Sequence, residues 1–365
     1  MGQAVVFAII VGVFPSNERG KALGMITTAV AIGAAAGPII AGPVIQEFGW
    51  RAVFLFTAAP TTVGIVAAIF VLDDKRIGST ARKIGSKYDW LGAGLSAAAL
   101  SLTILTISNP FAFDWISIQI IGGAILSAAL FAMLVWWELR IPDPMLNLRF
   151  FQNPTFSWST STRFLAFLGG SSTFFLMPVF VQSFMGHDQR SAGMIMFVGA
   201  VGMGLASQLS GRLSDRYGFR RFTFIGIGTL IVTNVWFSFF VSDTPLWIVM
   251  PVLFANGLGM GMWMAPNMSA TLSTVGRGDL GSMSAFLNLV RNAGTVIGQA
   301  LATAIIAGIM LSRGVEVQLN ELADSTDPNV TGAFLDGWSL TFLVFAAVTA
   351  VALFAAIRTK VYTGD

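Results

Sequence analysis

The stretch Gly211-Arg-Leu-Ser-Asp-Arg-Tyr-Gly218-Phe-Arg-Arg221 decides how the rest of the chain is arranged. It carries four arginines and one aspartate, and a long apolar run lies on each side of it. A spacer this short predicts that the two runs form an antiparallel pair of helices. Loops rich in lysine and arginine resist translocation, so we expect the stretch on the cytoplasmic side of a membrane. Its two glycines permit a tight turn.

The composition points to lipid as the solvent. Of the 365 residues, 55% are hydrophobic and 11% are charged, whereas a soluble domain has about 25% charged residues. The chain has no cysteine and one histidine, His187, which excludes thiol chemistry and a histidine metal cluster. The small net charge is dispersed, so no nucleic-acid partner is expected. No phosphate loop, HExxH or GxSxG motif is present, and neither an enzyme nor a bound cofactor or metal is expected.

The apolar runs have the length of membrane-spanning helices, for which about 20 residues are needed. A segment near the N-terminus, Ala4 to Val13, is too short and is interpreted as part of a helix. The alternating pattern of a barrel is absent, so the class is an all-α polytopic membrane protein. Ten full spans are predicted, at 22–43, 52–72, 90–108, 116–137, 155–183, 191–211, 222–241, 246–269, 282–311 and 337–357.

The distribution of positive charge supports this map. Sixteen lysines and arginines fall in loops predicted on one side, and three, namely Arg51, Arg190 and Arg313, fall on the other. Loops rich in lysine and arginine stay in the cytoplasm. The loops that contain the sixteen are therefore predicted to be cytoplasmic, in a multi-pass protein of the plasma (inner) membrane.

The pattern G-x-L-x-D-R-x-G-x-R-R resembles the signature loop of the major facilitator superfamily. Its elements here are Gly211, Asp215, Arg216, Gly218, Arg220 and Arg221. In that family the loop lies between the second and third helices of each six-helix half and holds helix ends together on the cytoplasmic side. The resemblance implies a conformational switch, and a basic anchoring loop without a moving role is the alternative.

A second stretch resembles the antiporter motif of the drug:proton branch of that family. It comprises Gly33, Gly37, Pro38, Gly42 and Pro43, although Ala41 stands where the family usually has glycine. Small residues let a neighbouring backbone approach closely, and proline removes a backbone hydrogen bond and can kink the helix. The resemblance implies a seal between the two halves on the outer side. Ordinary packing of small residues is the alternative.

A third stretch, from Phe175 through Pro178 and Gln182 to Gly186, looks like a run common in the fourteen-span branch. That branch has two extra helices between its six-helix halves. The implied division is residues 1–72 for the remainder of the N-terminal half, 73–153 for the extra helices with a basic cytoplasmic loop at 73–89, and 154–365 for the C-terminal half. About three and a half spans would then be missing, and the chain is interpreted as truncated at its N-terminus.

Polar residues within spans are candidates for lining a transport cavity. Asn288, Asn292 and Gln299 share one helical face, and Asn256, Trp263 and Asn267 share another. Hydrogen bonding between helices is the alternative. Arg163 and Arg291 lie inside spans; their guanidinium groups either extend towards the cytoplasm or act in the cavity as partners of an anion.

The leading hypothesis is a secondary transporter that exports hydrophobic or amphipathic compounds in exchange for protons by alternating access. None of the eighteen acidic residues lies within a predicted span, and the family resemblance implies a proton-carrying carboxylate in the missing N-terminal part. An acidic external segment, Ser312 to Asp336, is either a solvated loop or a docking site for a periplasmic adaptor protein. The alternatives are an inactive truncated fragment and a facilitator that imports a small nutrient.

Overall fold

The computed structural model describes residues 19–71, 89–111, 113, 117–142, 144, 148–170, 172–272, 274, 280–315 and 327–359. These residues form helices, turns and connecting segments, with no strands among them. The helices are α1 (Arg19–Phe48), α2 (Trp50–Val71), α3 (Trp90–Ser108), α4 (Ile118–Arg140), α5 (Pro154–Gly170), α6 (Ser172–Ser183), α7 (Gln189–Tyr217), α8 (Phe219–Phe237), α9 (Leu246–Leu272), α10 (Leu280–Ser312) and α11 (Pro328–Arg358). A short 3-10 helix, Leu148–Gln152, precedes α5.

The all-helical membrane fold predicted from the sequence is confirmed. In the described part of the chain, eight segments are long and apolar enough to cross a membrane. The predicted span at 222–241 forms α8 but is not among these eight, and the side chains in the first part of α1 lie outside the description. The predicted number of ten crossings therefore stays a prediction, as does the division into three segments.

Several helices begin where a polar side chain caps them. Asp89, Asp188 and Asp327 each accept a hydrogen bond from a backbone N–H in the first turn of α3, α7 and α11. These first N–H groups have no partner within the helix, so a side-chain oxygen that accepts from them stabilises the start. Pro328 follows Asp327 at the first helical position, where its missing N–H removes no hydrogen bond.

The core of the second half is aromatic. The Phe180 and Trp338 rings stack with centroids 4.6 Å apart, and Trp338 Nε1 donates a hydrogen bond to Phe237 O at 2.7 Å. Paired rings of this kind contribute beyond their buried area, and a buried indole N–H needs an acceptor. This cluster joins α6, α8 and α11 into one packed unit.

The pair α7 and α9 is packed within the protein, whereas α2 has little protein around it. Helices α7 and α9 approach closely, because glycines such as Gly199 and Gly257 lie at their contact and leave no space for a Cβ. Helix α2 has no buried residues, and large side chains such as Leu55 and Phe70 are exposed along it. An apolar helix without protein around it requires lipid or another protein surface.

The C-terminal part of the polar segment Ser312 to Asp336 is helical. Helix α11 begins at Pro328, so Asp336 lies in its third turn, where it forms an ion pair with Arg313 after α10. The sequence predicted a solvated loop with a short helix up to Asp336, because several acidic residues are clustered there. Residues 316–326 lie outside the described part of the chain.

Candidate functional site

Most of the basic stretch at 211–221 is helical. Helix α7 continues to Tyr217, and α8 begins at Phe219. Gly218 alone separates them, with φ 82° and ψ 145°, in a region of backbone conformation that favours glycine. The prediction of an eleven-residue turn was wrong in extent, since residues up to Tyr217 complete the last turns of α7.

Arg220 joins two helix ends. Its Nη2 donates a hydrogen bond to Ile357 O at 3.0 Å, in the last turn of α11, and its guanidinium lies 5.4 Å from the centre of the Phe224 ring. Carbonyl groups at a helix C-terminus lack partners within the helix and carry partial negative charge, so a cation binds them well. Arg221 is exposed. The side chains of Asp215 and Arg216 lie outside the description, and the switch role of this stretch stays a prediction.

One glycine of the antiporter-like motif lies directly against the second half. The positions of a Cβ on Gly33 and on Gly37 have no atom within 4 Å, whereas a Cβ on Gly42 would lie 2.7 Å from Gln189 O and 3.1 Å from Arg190 Cα. Both of those atoms belong to the first turn of α7. Pro43 follows Gly42 and is half-buried, and the side chain of Pro38 lies outside the description.

The polar stripe of α9 is buried between helices. Asn256 Nδ2 donates to Thr233 Oγ1 of α8 at 3.0 Å, and Asn267 Nδ2 donates to Ser159 O of α5 at 3.2 Å. Trp263 is fully buried, with its ring 5.1 Å from that of Phe167. In this conformation the three side chains lie at contacts between helices. The two asparagines form the interhelical hydrogen bonds that were the alternative to a cavity lining. Their role as cavity lining stays a prediction.

The polar stripe of α10 is more open. Asn288 Nδ2 donates to Ser284 O of its own helix at 3.0 Å, and Gln299 is half-buried. Asn292 is exposed and accepts a hydrogen bond from Arg291 Nη2 at 3.4 Å. A neighbouring face of α10 packs on α5, where a Cβ on Gly294 would lie 2.7 Å from Phe164 O.

Arg163 is held inside the protein. It is 3% exposed, and its Nε donates to Leu287 O of α10 at 3.1 Å. Its guanidinium lies 5.3 Å from the centre of the Phe167 ring, and Arg291 is near enough for the two positive charges to repel each other. The guanidinium therefore lies at the contact of α5 with α10 and does not extend to the surface. A charged side chain at this depth in a span is costly, which makes Arg163 a candidate site residue.

A cavity of about 360 Å³ lies beside α5 and α10. Aromatic and aliphatic side chains form most of its wall, and two hydroxyl groups are the polar exceptions. Its lining residues are Phe151, Thr160, Ser161, Phe164, Leu165, Phe286 and Val290. The sequence did not identify this wall, since apolar side chains in a span face lipid as often as a ligand. The spacing of the lining residues at 160, 161, 164 and 165 is the helical signal that marks one face of α5.

Two carboxylates are buried where α3 and α4 meet, which the sequence did not predict. Glu138 lies in the last turn of α4, at a helix end as the sequence indicated, and is 2% exposed. Next to it is Asp89, which is also buried and accepts hydrogen bonds from Gly92 N at 2.8 Å and Trp137 Nε1 at 3.0 Å. These contacts hold the start of α3 against the end of α4. In the described residues no cluster of acidic, histidine or cysteine side chains could hold a metal ion.

Comparison with protein families identifies the chain. The model of the Major Facilitator Superfamily matches residues 1–299 and again 160–363. The chain belongs to the Major Facilitator Superfamily. It is accordingly a multi-pass protein of the plasma membrane.

Similar members of the superfamily are longer than this chain. The MFS-type transporter YhcA of Bacillus subtilis is 28% identical over 335 residues, which cover 91% of this chain and 61% of YhcA. The riboflavin transporter RibZ of Clostridioides difficile is 25% identical, with 84% and 65% covered. The lincomycin resistance protein LmrB of Listeria monocytogenes is 25% identical, with 83% and 63% covered. The chain thus spans less than two thirds of the length of these relatives.

A solved structure shows the same fold. A bacterial homologue of the human lysosomal transporter Spinster, in an inward-facing and unoccupied conformation, superposes with a TM-score of 0.52. The match covers 96% of this chain and 74% of the homologue, at 16% sequence identity. This likeness supports the fold of a major facilitator.

Proposed function

We propose that this protein is a secondary active transporter that exports hydrophobic or amphipathic compounds, driven by protons and working by alternating access. The observation that carries the proposal is the cavity beside α5 and α10. Its volume of about 360 Å³ falls in the range of ligand pockets, which is roughly 300–1,000 Å³. The phenylalanine rings would bury the apolar part of a compound, and Thr160 and Ser161 would accept or donate one or two hydrogen bonds.

The contact between α1 and α7 supports alternating access. Gly42 lies against the backbone of Gln189 and Arg190, with no space for a side chain between the two helices. Helix α1 belongs to the proposed first half and α7 to the second. Because the two backbones are in direct contact, any separation of α1 from α7 would open the seal. A gate between two halves requires such a contact.

The names of several relatives support export of drug-like compounds. LmrB is a lincomycin resistance protein, and a further relative in Bacillus subtilis, 25% identical, is Multidrug resistance protein 3. RibZ, a riboflavin transporter, favours a second candidate function, which is transport of one particular solute. The two candidates differ in the range of compounds moved and in the direction of net movement.

The test is efflux of a lipophilic fluorescent dye from energised bacteria that produce the protein and lack their own exporters. We expect dye to leave faster than from cells without the protein, and a protonophore that collapses the proton gradient should stop the difference. Phe286→Ala removes part of the cavity wall. We expect the apparent affinity to weaken by roughly 10- to 150-fold if the substrate covers the ring completely, since burial of a phenylalanine ring is then worth about 1.5–3 kcal/mol.

Phe239→Ala is the matched control, because Phe239 is 74% exposed and lies outside the cavity wall. We expect this variant to export dye at the unmodified rate. Equal affinities in the two variants would contradict the placement of the substrate in this cavity. Efflux that persists after collapse of the proton gradient would contradict proton coupling.

A further inference from the structure

A small cavity lies directly beneath the signature stretch. Its volume is about 10 Å³, which is close to the smallest space that holds one water molecule. Residues from four helices line it, including Ser159 of α5, Arg220 of α8, Asn267 of α9 and Ala356 of α11. It therefore lies where one end of each of these helices meets the others.

Three polar atoms at this cavity are buried and have no hydrogen-bond partner among the residues that the structure describes: Ser159 Oγ, Arg220 Nε and Asn267 Oδ1. Ser159 is 1% exposed and Asn267 is 3% exposed. The Asn267 and Arg220 side chains are fixed by their other atoms, because Asn267 Nδ2 donates to the backbone oxygen Ser159 O and Arg220 Nη2 donates to Ile357 O. They cannot turn away to find other partners without breaking these bonds. Buried polar groups in folded proteins almost always have a partner, which is often an ordered water.

We propose that one water molecule is bound in this cavity and bridges the three side chains. The water accepts a hydrogen bond from Arg220 Nε–H and donates its two protons to Asn267 Oδ1 and Ser159 Oγ. Three hydrogen bonds are typical of a buried water. The guanidinium disfavours a metal cation here, and the acceptor oxygen of Asn267 disfavours an anion.

The water makes Arg220 part of a network that reaches beyond its own helix. Through its Nη2 atom Arg220 holds the end of α11, and through the water it holds α5 and α9. The signature stretch thereby ties four helix ends into one unit, in which the water positions the guanidinium. This inference concerns the second half of the protein by itself and does not depend on the identity of the substrate.

A pair of serine substitutions tests the proposal through the sign of a stability change. Ser159→Ala removes one partner of the water, so we expect the melting temperature of the purified protein to fall by a few degrees. Ser172→Ala is the control, since Ser172 Oγ is also buried without a partner in the described part of the chain but does not line this cavity. Removal of an unpaired buried hydroxyl is neutral or stabilising. If Ser159→Ala also leaves the melting temperature unchanged or raises it, no water is bound there.

Direct observation provides the second measurement. A structure of the full protein at a resolution that shows ordered waters should contain one spherical peak within about 2.7–3.2 Å of all three atoms. A cavity without density, beside well-ordered side chains, would overturn the proposal. So would an anomalous peak at this position after bromide replaces chloride, because the bound species would then be an anion.

Discussion

The contact at Gly42 allows a sharp prediction about opening of the proposed outer seal. In Gly42→Ala the new methyl would lie 2.7 Å from Gln189 O, 3.1 Å from Arg190 Cα and 3.3 Å from Gln189 C. These are backbone atoms of a helix, which cannot rotate away as the end of a side chain can. Helices α1 and α7 must therefore move apart for the methyl to fit.

The magnitude follows from this overlap. Insertion of a methyl into a well-packed contact costs about 1–3 kcal/mol. That loss applies only while α1 and α7 are in contact, so the equilibrium shifts towards arrangements in which they are apart. A difference of 1–3 kcal/mol corresponds to a shift of roughly 5- to 150-fold.

Cysteine labelling measures this shift cleanly, because the chain contains no cysteine of its own. A single cysteine at His187, in the segment before α7, would be labelled by a membrane-impermeant maleimide added outside intact cells. We expect this cysteine to be labelled faster in the Gly42→Ala variant than in the protein that keeps Gly42. The sidedness of this segment, predicted from the distribution of positive charge, is tested by the same experiment.

Gly33→Ala and Gly37→Ala are the matched controls. Both glycines lie in the same helix, and a Cβ at either position meets no atom within 4 Å. The gain of about 1 kcal/mol in helix propensity from glycine to alanine is the same in all three variants and cancels in the comparison. If Gly42→Ala is labelled at the rate of the two controls, the contact is not a seal.

Two further substitutions test packing and capping in the second half. Asn234 of α8 is fully buried and donates to Gly169 O at 3.0 Å and to a threonine hydroxyl of α11 at 3.4 Å. Asn234→Ala should lower the free energy of unfolding by about 1–3 kcal/mol, seen as a lower melting temperature in detergent, whereas Asn292→Ala at an exposed position should leave it unchanged. Hydrogen bonds from the Ser191 side chain and backbone hold the pKa of Asp188 below its usual range. The cap it forms on α7 should therefore stabilise the protein fully above about pH 4 and lose this effect as the pH falls through the lowered pKa. In Asp188→Asn the melting temperature should therefore fall less steeply at acidic pH than in the unmodified protein. An equally steep fall in both proteins would show that the cap does not cause it.

The sequence predicted the positions of the helices better than their contacts. Long apolar runs locate the spans, because backbone groups in lipid must be satisfied within the helix. The span at 90–108 agrees with α3 to the residue. The extent of α7 was underestimated, since a polar, arginine-rich end is helical here and not a loop.

The faces of the helices were harder to predict. Lipid tails are as apolar as a protein core, so hydrophobicity does not tell which side of a span meets protein. Asn256 and Asn267 were correctly identified as unusual polar residues, but the partners Thr233 and Ser159 O depend on the arrangement of three helices. The phenylalanines around the cavity carry no distinguishing mark in the sequence, and only the packing of α5 beside α10 brings them together.

The two interhelical contacts discussed above lie at opposite ends of α7. Gly42 meets its first turn, and Arg220 follows its last residue by three positions. The helix has 29 residues, so its ends lie about 40 Å apart at 1.5 Å per residue, which exceeds the thickness of a hydrocarbon core. One end is closed by shape, with backbone against backbone, and the other is held by hydrogen bonds from a charged side chain. Alternating access requires that the two ends open at different times. Because the contacts differ in kind, a methyl group at Gly42 should loosen the contact between the two proposed halves and leave the Arg220 end intact. Loss of the Arg220 hydrogen bonds should loosen helix ends within the second half and leave the Gly42 contact intact.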